Sequence, residues 1–159
     1  MVEARPPIEP LLVAALADTP IDVDGRSLHA WDEGDAPANA ESRLERILAG
    51  HQRAAARPLA VLRADGTELP LEGDLLVVRD GRGRPRAVVE VIEQRVVPFD
   101  LIDEHFAADC GEGDLSLRHW RHAHQAAFVL QASRTGVVDP ALPVVTIRFR
   151  LVYPRLLGA

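Results

Sequence analysis

The sequence contains no lysine: all 18 basic residues are arginine. A high-GC genome produces such a bias without functional pressure, but its chemical consequence holds whatever the cause. No side-chain amine is available for a Schiff base or for lysine general-base catalysis. Cysteine is almost missing too. The single Cys110 excludes an internal disulfide and suits a reducing cytoplasm, where this chain is expected to reside. No apolar run approaches the roughly 18 residues that a membrane span requires, so no membrane partner is expected. The apolar stretch "PIEPLLVAALAD" has no basic segment before it and acids on both sides, which predicts a short helix rather than a signal peptide. Basic excess is also lacking. A formal charge of −6 argues against a protein that coats nucleic acid through bulk charge; DNA is not an expected partner, although a local basic groove stays open.

What is present reads as one ordinary domain. A chain of 159 residues buries about two-thirds of its unfolded surface without help from disulfides or metals. Residues 1–30 read as an extension with a short helix from about Ile8 to Ala17 and then a turn-rich connection; residues 31–159 read as the main domain. Asn39 to Leu48 is helix-forming, with Leu44, Ile47 and Leu48 as an apolar stripe and Gly50 at the C-terminal cap. "RPLAVLRADG" reads as a strand ending at an Asp65-Gly66 turn. Leu75 to Arg79 and Arg86 to Val97 read as a hairpin around the glycine turn of residues 80–84, where the arginines belong to a solvated turn. "FDLIDEHFAAD" predicts a short helix, "SLRHWRHAHQAAFVLQAS" a longer one, and "PVVTIRFRLVYP" a half-solvated final strand. Helices and antiparallel strands are thus mixed rather than alternating as βαβ units, an α+β pattern. Long strands with a helix pair inserted before the last one suggest a small mixed or antiparallel β-barrel capped by helices.

The order of "LEGDLLVVRDG", "VVPFD", a helix, "GEGDLSL" and a helix opening Trp-Arg-x-x-His resembles the ASCH domain family, from about Trp31 to Tyr153. That resemblance implies a PUA-like pseudo-barrel with a cleft beside the inserted helices. Members are thought to bind RNA or modified nucleosides; some hydrolyse the amide of N4-acylated cytidine and some cleave RNA. The hydrolysing members share a Gly-x-Lys-Thr-x-Thr turn and a loop glutamate. Aligned here, the turn falls on Gly50 to Ala55, the glutamate on Glu112 and a following arginine on Arg57. The family lysine is then Gln52 and the second threonine Ala55, so neither proton transfer by an amine nor hydroxyl chemistry is available from those positions.

The residues expected at the cleft follow from both readings. Glu112 and Ser116 are the candidate catalytic pair; Asp114 or Ser116 equally suits a helix cap. Gln52, Arg53, Arg57, Trp120 and His124 are the candidate contacts to RNA or a modified nucleoside. Gln52 is expected to read a base edge, and Arg53 with Arg57 to face a phosphate from one side of a strand. The glycines around Glu112 are expected to let a ligand approach the backbone. Leu117, Trp120, His124 and Phe128 form the inward stripe of the long helix, where Trp120 and His124 also suit the core. His119, His122 and His124 lack metal-site spacing, and neither metal nor cofactor is expected. Cys110 has no activating neighbour fixed by spacing. Whether the chain is an enzyme stays open: binding without turnover is the first expectation, a ribonuclease or amidohydrolase using Glu112 the second, and an accessory protein assembling through residues 8–17 the third. Oligomeric state is not legible.

Overall fold

The computed structural model describes residues 28–31 and 36–154. Five strands form one sheet: β1 (Leu28–Trp31), β2 (Ala54–Pro58), β3 (Leu75–Arg79), β4 (Pro85–Pro98) and β5 (Pro143–Tyr153), in the order β1-β3-β4-β5-β2. β1 lies parallel to β3, and the other four strands pair antiparallel and curl into a half-barrel, an α+β fold. The 14-residue β4 is the spine, pairing with β3 along its first half and with β5 along nearly all its length. Its register slips between Val91 and Glu93, so Ile92 is an extra residue that bends the strand.

The first helix, α1 (Pro37–Leu48), opens with proline in its first turn, where a missing N–H costs nothing. Leu44 and Ile47 bury against Leu76, Val78, Val89 and Phe149 on one face of the sheet. Burial of each such side chain is worth about 1.5–3 kcal/mol. Beyond β4 come a 3₁₀ turn (Phe99–Leu101), α3 (Glu104–Asp109) and α4 (Leu117–Arg134), inserted before the last strand. They build a second, aromatic core of Phe99, Phe106, Trp120 and Phe128 around Ala54, Cys110 and Val144.

Two elements depart from the sequence expectations. "RPLAVLRADG" is a strand only as far as Pro58; Leu59–Ala64 is a helix, α2. Leu59 and Leu62, three residues apart, bury on one side, and the backbone N–H of Thr67 closes the end on the Leu62 carbonyl at 2.9 Å. The final strand is not half-solvated in its first part. Val144 and Thr146 are buried as well as Val145 and Ile147, because the aromatic core covers the face expected to meet water. The expected boundary between residues 30 and 31 falls inside β1. The helix expected over residues 8–17, and with it the assembly reading, lies outside the described residues. Among the described residues no helix is long and apolar enough to cross a membrane.

Candidate functional site

A cavity of about 310 Å³ opens between α1, the turn after it, β2 and the start of α4. That volume sits at the small end of ligand pockets and fits a nucleoside-sized molecule. Its walls are of three kinds. α1 contributes Asn39, Ser42, Arg43 and Arg46; the floor is Gln52, Ala55, Ala56 and Cys110; the far side is Glu112, Trp120 and His124.

The position of Glu112 follows from the residue before it. Gly111 has φ +72°, and a Cβ there would lie 2.3 Å from the His51 carbonyl oxygen. The acidic loop is therefore pressed directly onto the turn that follows α1, which brings Glu112 and Gln52 into one cavity. At Gly113 a Cβ would collide with the His119 ring. The space the two glycines open is filled by the protein itself, not left for a ligand.

Glu112 Oε2 lies 2.7 Å from His124 Nε2, while Oε1 has no hydrogen-bond partner among the described residues. Burial pushes the Glu112 pKa up, but the His124 hydrogen bond and the positive charges of His124, Arg46 and His119 outweigh it, leaving the pKa below the usual glutamate value. With Glu112 ionised, the bridging proton resides on His124 Nε2. The hydroxyl of Ser116, by contrast, accepts the His119 N–H at 3.0 Å and caps α4. Asp114 accepts the Ser116 N–H at 2.9 Å. The loop is thus divided: Asp114 and Ser116 terminate the helix, and Glu112 faces the cavity.

Gln52 is buried, and both ends of its amide are engaged. Oε1 accepts from Arg46 Nε at 3.1 Å, and Nε2 donates to the Ala54 carbonyl at 3.2 Å. One donor and one acceptor of the amide are therefore already committed within the protein. Arg53 and Arg57 do not face a common phosphate. Arg53 Nη2 pairs with Asp109 at 3.0 Å, and Arg57 Nη2 lies 3.7 Å from Asp65. Neither lines the cavity. The β2 register explains the separation: Arg57 falls beside α2, which the sequence reading had taken for strand. Asp109 also pairs with Arg148, whose guanidinium sits over the Phe106 ring, so Arg53 belongs to a clamp between α3 and β5.

Trp120 borders the cavity but is only 2% exposed. Its ring is packed by Phe99 at 5.4 Å and His124 at 4.8 Å between centroids. It is a wall rather than an open stacking platform. Cys110 is buried in the floor, and burial pushes its thiol far above the usual range, so no thiolate forms there. No group of three or more metal-binding side chains occurs among the described residues.

Arg43 and Arg46 are the cations of the site, and sequence reasoning missed them. Their signal was present: they recur with Asn39 and Ser42 along the side of α1 next to its apolar stripe. In the sequence alone that side is indistinguishable from a solvated one.

This arrangement of half-barrel, inserted helices and cleft can be set beside known proteins. A model of the ASCH domain matches residues 29–153. The chain belongs to the ASCH domain family. The ASCH domain fold is shared with a crystal structure of an ASCH domain from Lactobacillus crispatus JV V101, at 28% identity and a TM-score of 0.78, covering 89% of this chain and 91% of that one. A protein from Enterococcus faecalis V583 has the same fold at 19% identity and a TM-score of 0.67, covering 79% of this chain and 76% of that one. No curated protein matches by sequence. ASCH domains are generally RNA-binding-like.

Proposed function

We propose that this ASCH domain binds a modified nucleoside, or a single nucleotide of an RNA, in the cavity beside Glu112, and does so without the lysine-dependent amide hydrolysis of some relatives. The observation that carries this reading is the half-paired carboxylate. Glu112 is held by His124 through one oxygen and keeps Oε1 for a donor inside a nucleoside-sized cavity. A carboxylate oxygen in that setting accepts from the exocyclic N–H of a cytosine-type base, including an N4-acylated one. Ala55 and Gln52 line the cavity, and by the resemblance they take the places of the motif's second threonine and its lysine. The ligand would therefore meet a methyl group and a fixed amide at those two places.

A second reading has its own observation. The 2.7 Å contact between Glu112 and His124 is an acid–base pair that needs no lysine, and it suits hydrolysis by an activated water. Incubation of the protein with N4-acetylcytidine and, separately, with a mixed short RNA, followed by chromatography, separates the two. Binding without turnover supports the first reading. Turnover that disappears in Glu112→Gln replaces it with the second.

A further inference from the structure

The side of α1 turned to the cavity is polar throughout. Asn39, Ser42, Arg43 and Arg46 follow the i, i+3, i+4, i+7 spacing of one helix side. A guanidinium drawn partly out of water favours an anion close by. Within the protein, the hydrogen-bond partner of Arg46 is neutral: Nε donates to Gln52 Oε1 at 3.1 Å. Gln52 is itself fixed by its bond to the Ala54 carbonyl, so the plane of the Arg46 guanidinium is set. The two Nη groups have no hydrogen-bond acceptor among the described residues, and they form the edge that binds an oxyanion through two parallel bonds. The neighbouring carboxylate, Glu112, accepts its hydrogen bond from His124 instead.

We propose that Arg46, oriented by Gln52, is an oxyanion clamp that takes the phosphate group of the nucleotide bound in this cavity. Arg43, buried one turn earlier, lines the same space. The inference rests on the nucleoside-binding reading above and names the charged part of that ligand. At position 52 lysine would set a donor against the Arg46 Nε donor and release the guanidinium, whereas glutamine offers an acceptor. Gln52 is thus a positioning residue, and Arg46 is the group that touches the ligand. The same oxyanion chemistry comes from a phosphomonoester of a free nucleotide or from a phosphodiester of an RNA chain.

The test is calorimetric titration of the full chain with cytidine, its 5′- and 3′-monophosphates, the dinucleotide CpC, and inorganic phosphate. One of the monophosphates or CpC is expected to bind about 10- to 100-fold more tightly than cytidine, the range of a charge-assisted hydrogen-bond pair. Preference for a monophosphate identifies a free nucleotide; preference for CpC identifies an RNA chain. Arg46→Gln should erase the phosphate preference, read within that variant as the ratio of phosphorylated-ligand to cytidine affinity. Gln52→Glu keeps an acceptor for Arg46 Nε but neutralises its charge and loses the donor to the Ala54 carbonyl, so some stability is lost. The readout is again the ratio of phosphorylated-ligand to cytidine affinity, which should fall. A merely structural Gln52 would not move that ratio. Equal affinity for cytidine and every phosphorylated ligand, with no phosphate binding, overturns the clamp and leaves the nucleoside reading standing. Phosphate binding lost in Arg46→Gln, with no binding of cytidine, supports the clamp and overturns that reading. Absence of all binding overturns both.

Discussion

Two carboxylates in this molecule sit in glycine turns and look alike in sequence: Asp80 in "VRDGRGRPR" and Glu112 in "DCGEGDLS". Both have pKa values below their usual range despite burial, and for both burial alone would push the other way. Their partners differ. Asp80 receives the backbone N–H groups of Arg82 and Arg84 and the Arg84 Nε, all at 2.9 Å, with Arg86 3.5 Å away. Both of its oxygens are occupied, and it closes a hairpin. Among the described residues Glu112 has a single side-chain partner, and its other oxygen is left unoccupied in a cavity. A lowered carboxylate pKa therefore does not mark a functional site by itself. The number of acceptor positions left over, and what they face, makes the distinction.

Substitutions separate the two carboxylates and their surroundings. The largest effect is expected from the centre of the aromatic core: Trp120→Ala should lose about 3–5 kcal/mol of stability in urea unfolding, since a fully buried indole leaves a cavity. Asp80→Ala comes next. It strands two backbone donors at the turn, so a loss of about 2 kcal/mol is expected with ligand binding intact. Gly111→Ala should sharpen the contrast. The added methyl meets the His51 carbonyl, so stability should fall by about 1–3 kcal/mol and binding should weaken as Glu112 moves away from Gln52. Glu112→Gln is expected to change stability by less than about 1 kcal/mol while abolishing binding, the reverse of Asp80→Ala. If Asp80→Ala removed binding and Glu112→Gln removed stability, the division drawn here would be inverted.

The smallest effect is in pH dependence, and its sign follows from the shifts. Both carboxylates are lowered on folding, so each contributes stability that is complete above its unfolded pKa and is lost as pH falls through the folded one. Stability should decline on acidification below about pH 4.5, the unperturbed carboxylate range. Replacing Asp80 with Asn should flatten that decline. An unchanged acid limb in Asp80→Asn would show that its ion pairs contribute nothing net to folding.

Much of this was legible from the residues. The hairpin announced itself by alternation and Asp-Gly, α4 by Leu117, Trp120, His124 and Phe128 on one face, and the helix cap by Asp114 and Ser116. Glu112 was placed beside the cleft by resemblance, and it lines the cavity. The α2 segment was misread as strand because Leu59, Val61 and Leu62 fit either period over so short a stretch. Arg53 and Arg57 were assigned to one task because alternate strand positions share a face. Their actual partners, Asp109 and Asp65, come from other elements.

The residues along the chain specified most of the elements, the cap of α4, the acidic loop and, with no lysine among them, the exclusion of amine chemistry. Tertiary structure alone decided that Gly111 packs on His51, that Gln52 holds Arg46, and that one side of α1 faces a cavity. The physical reason is that a polar side chain's role depends on which acceptors and donors remain unpaired around it. That count is set by contacts between residues far apart in sequence, such as Glu112 with His124 across the loop and Gly111 with His51 across the fold.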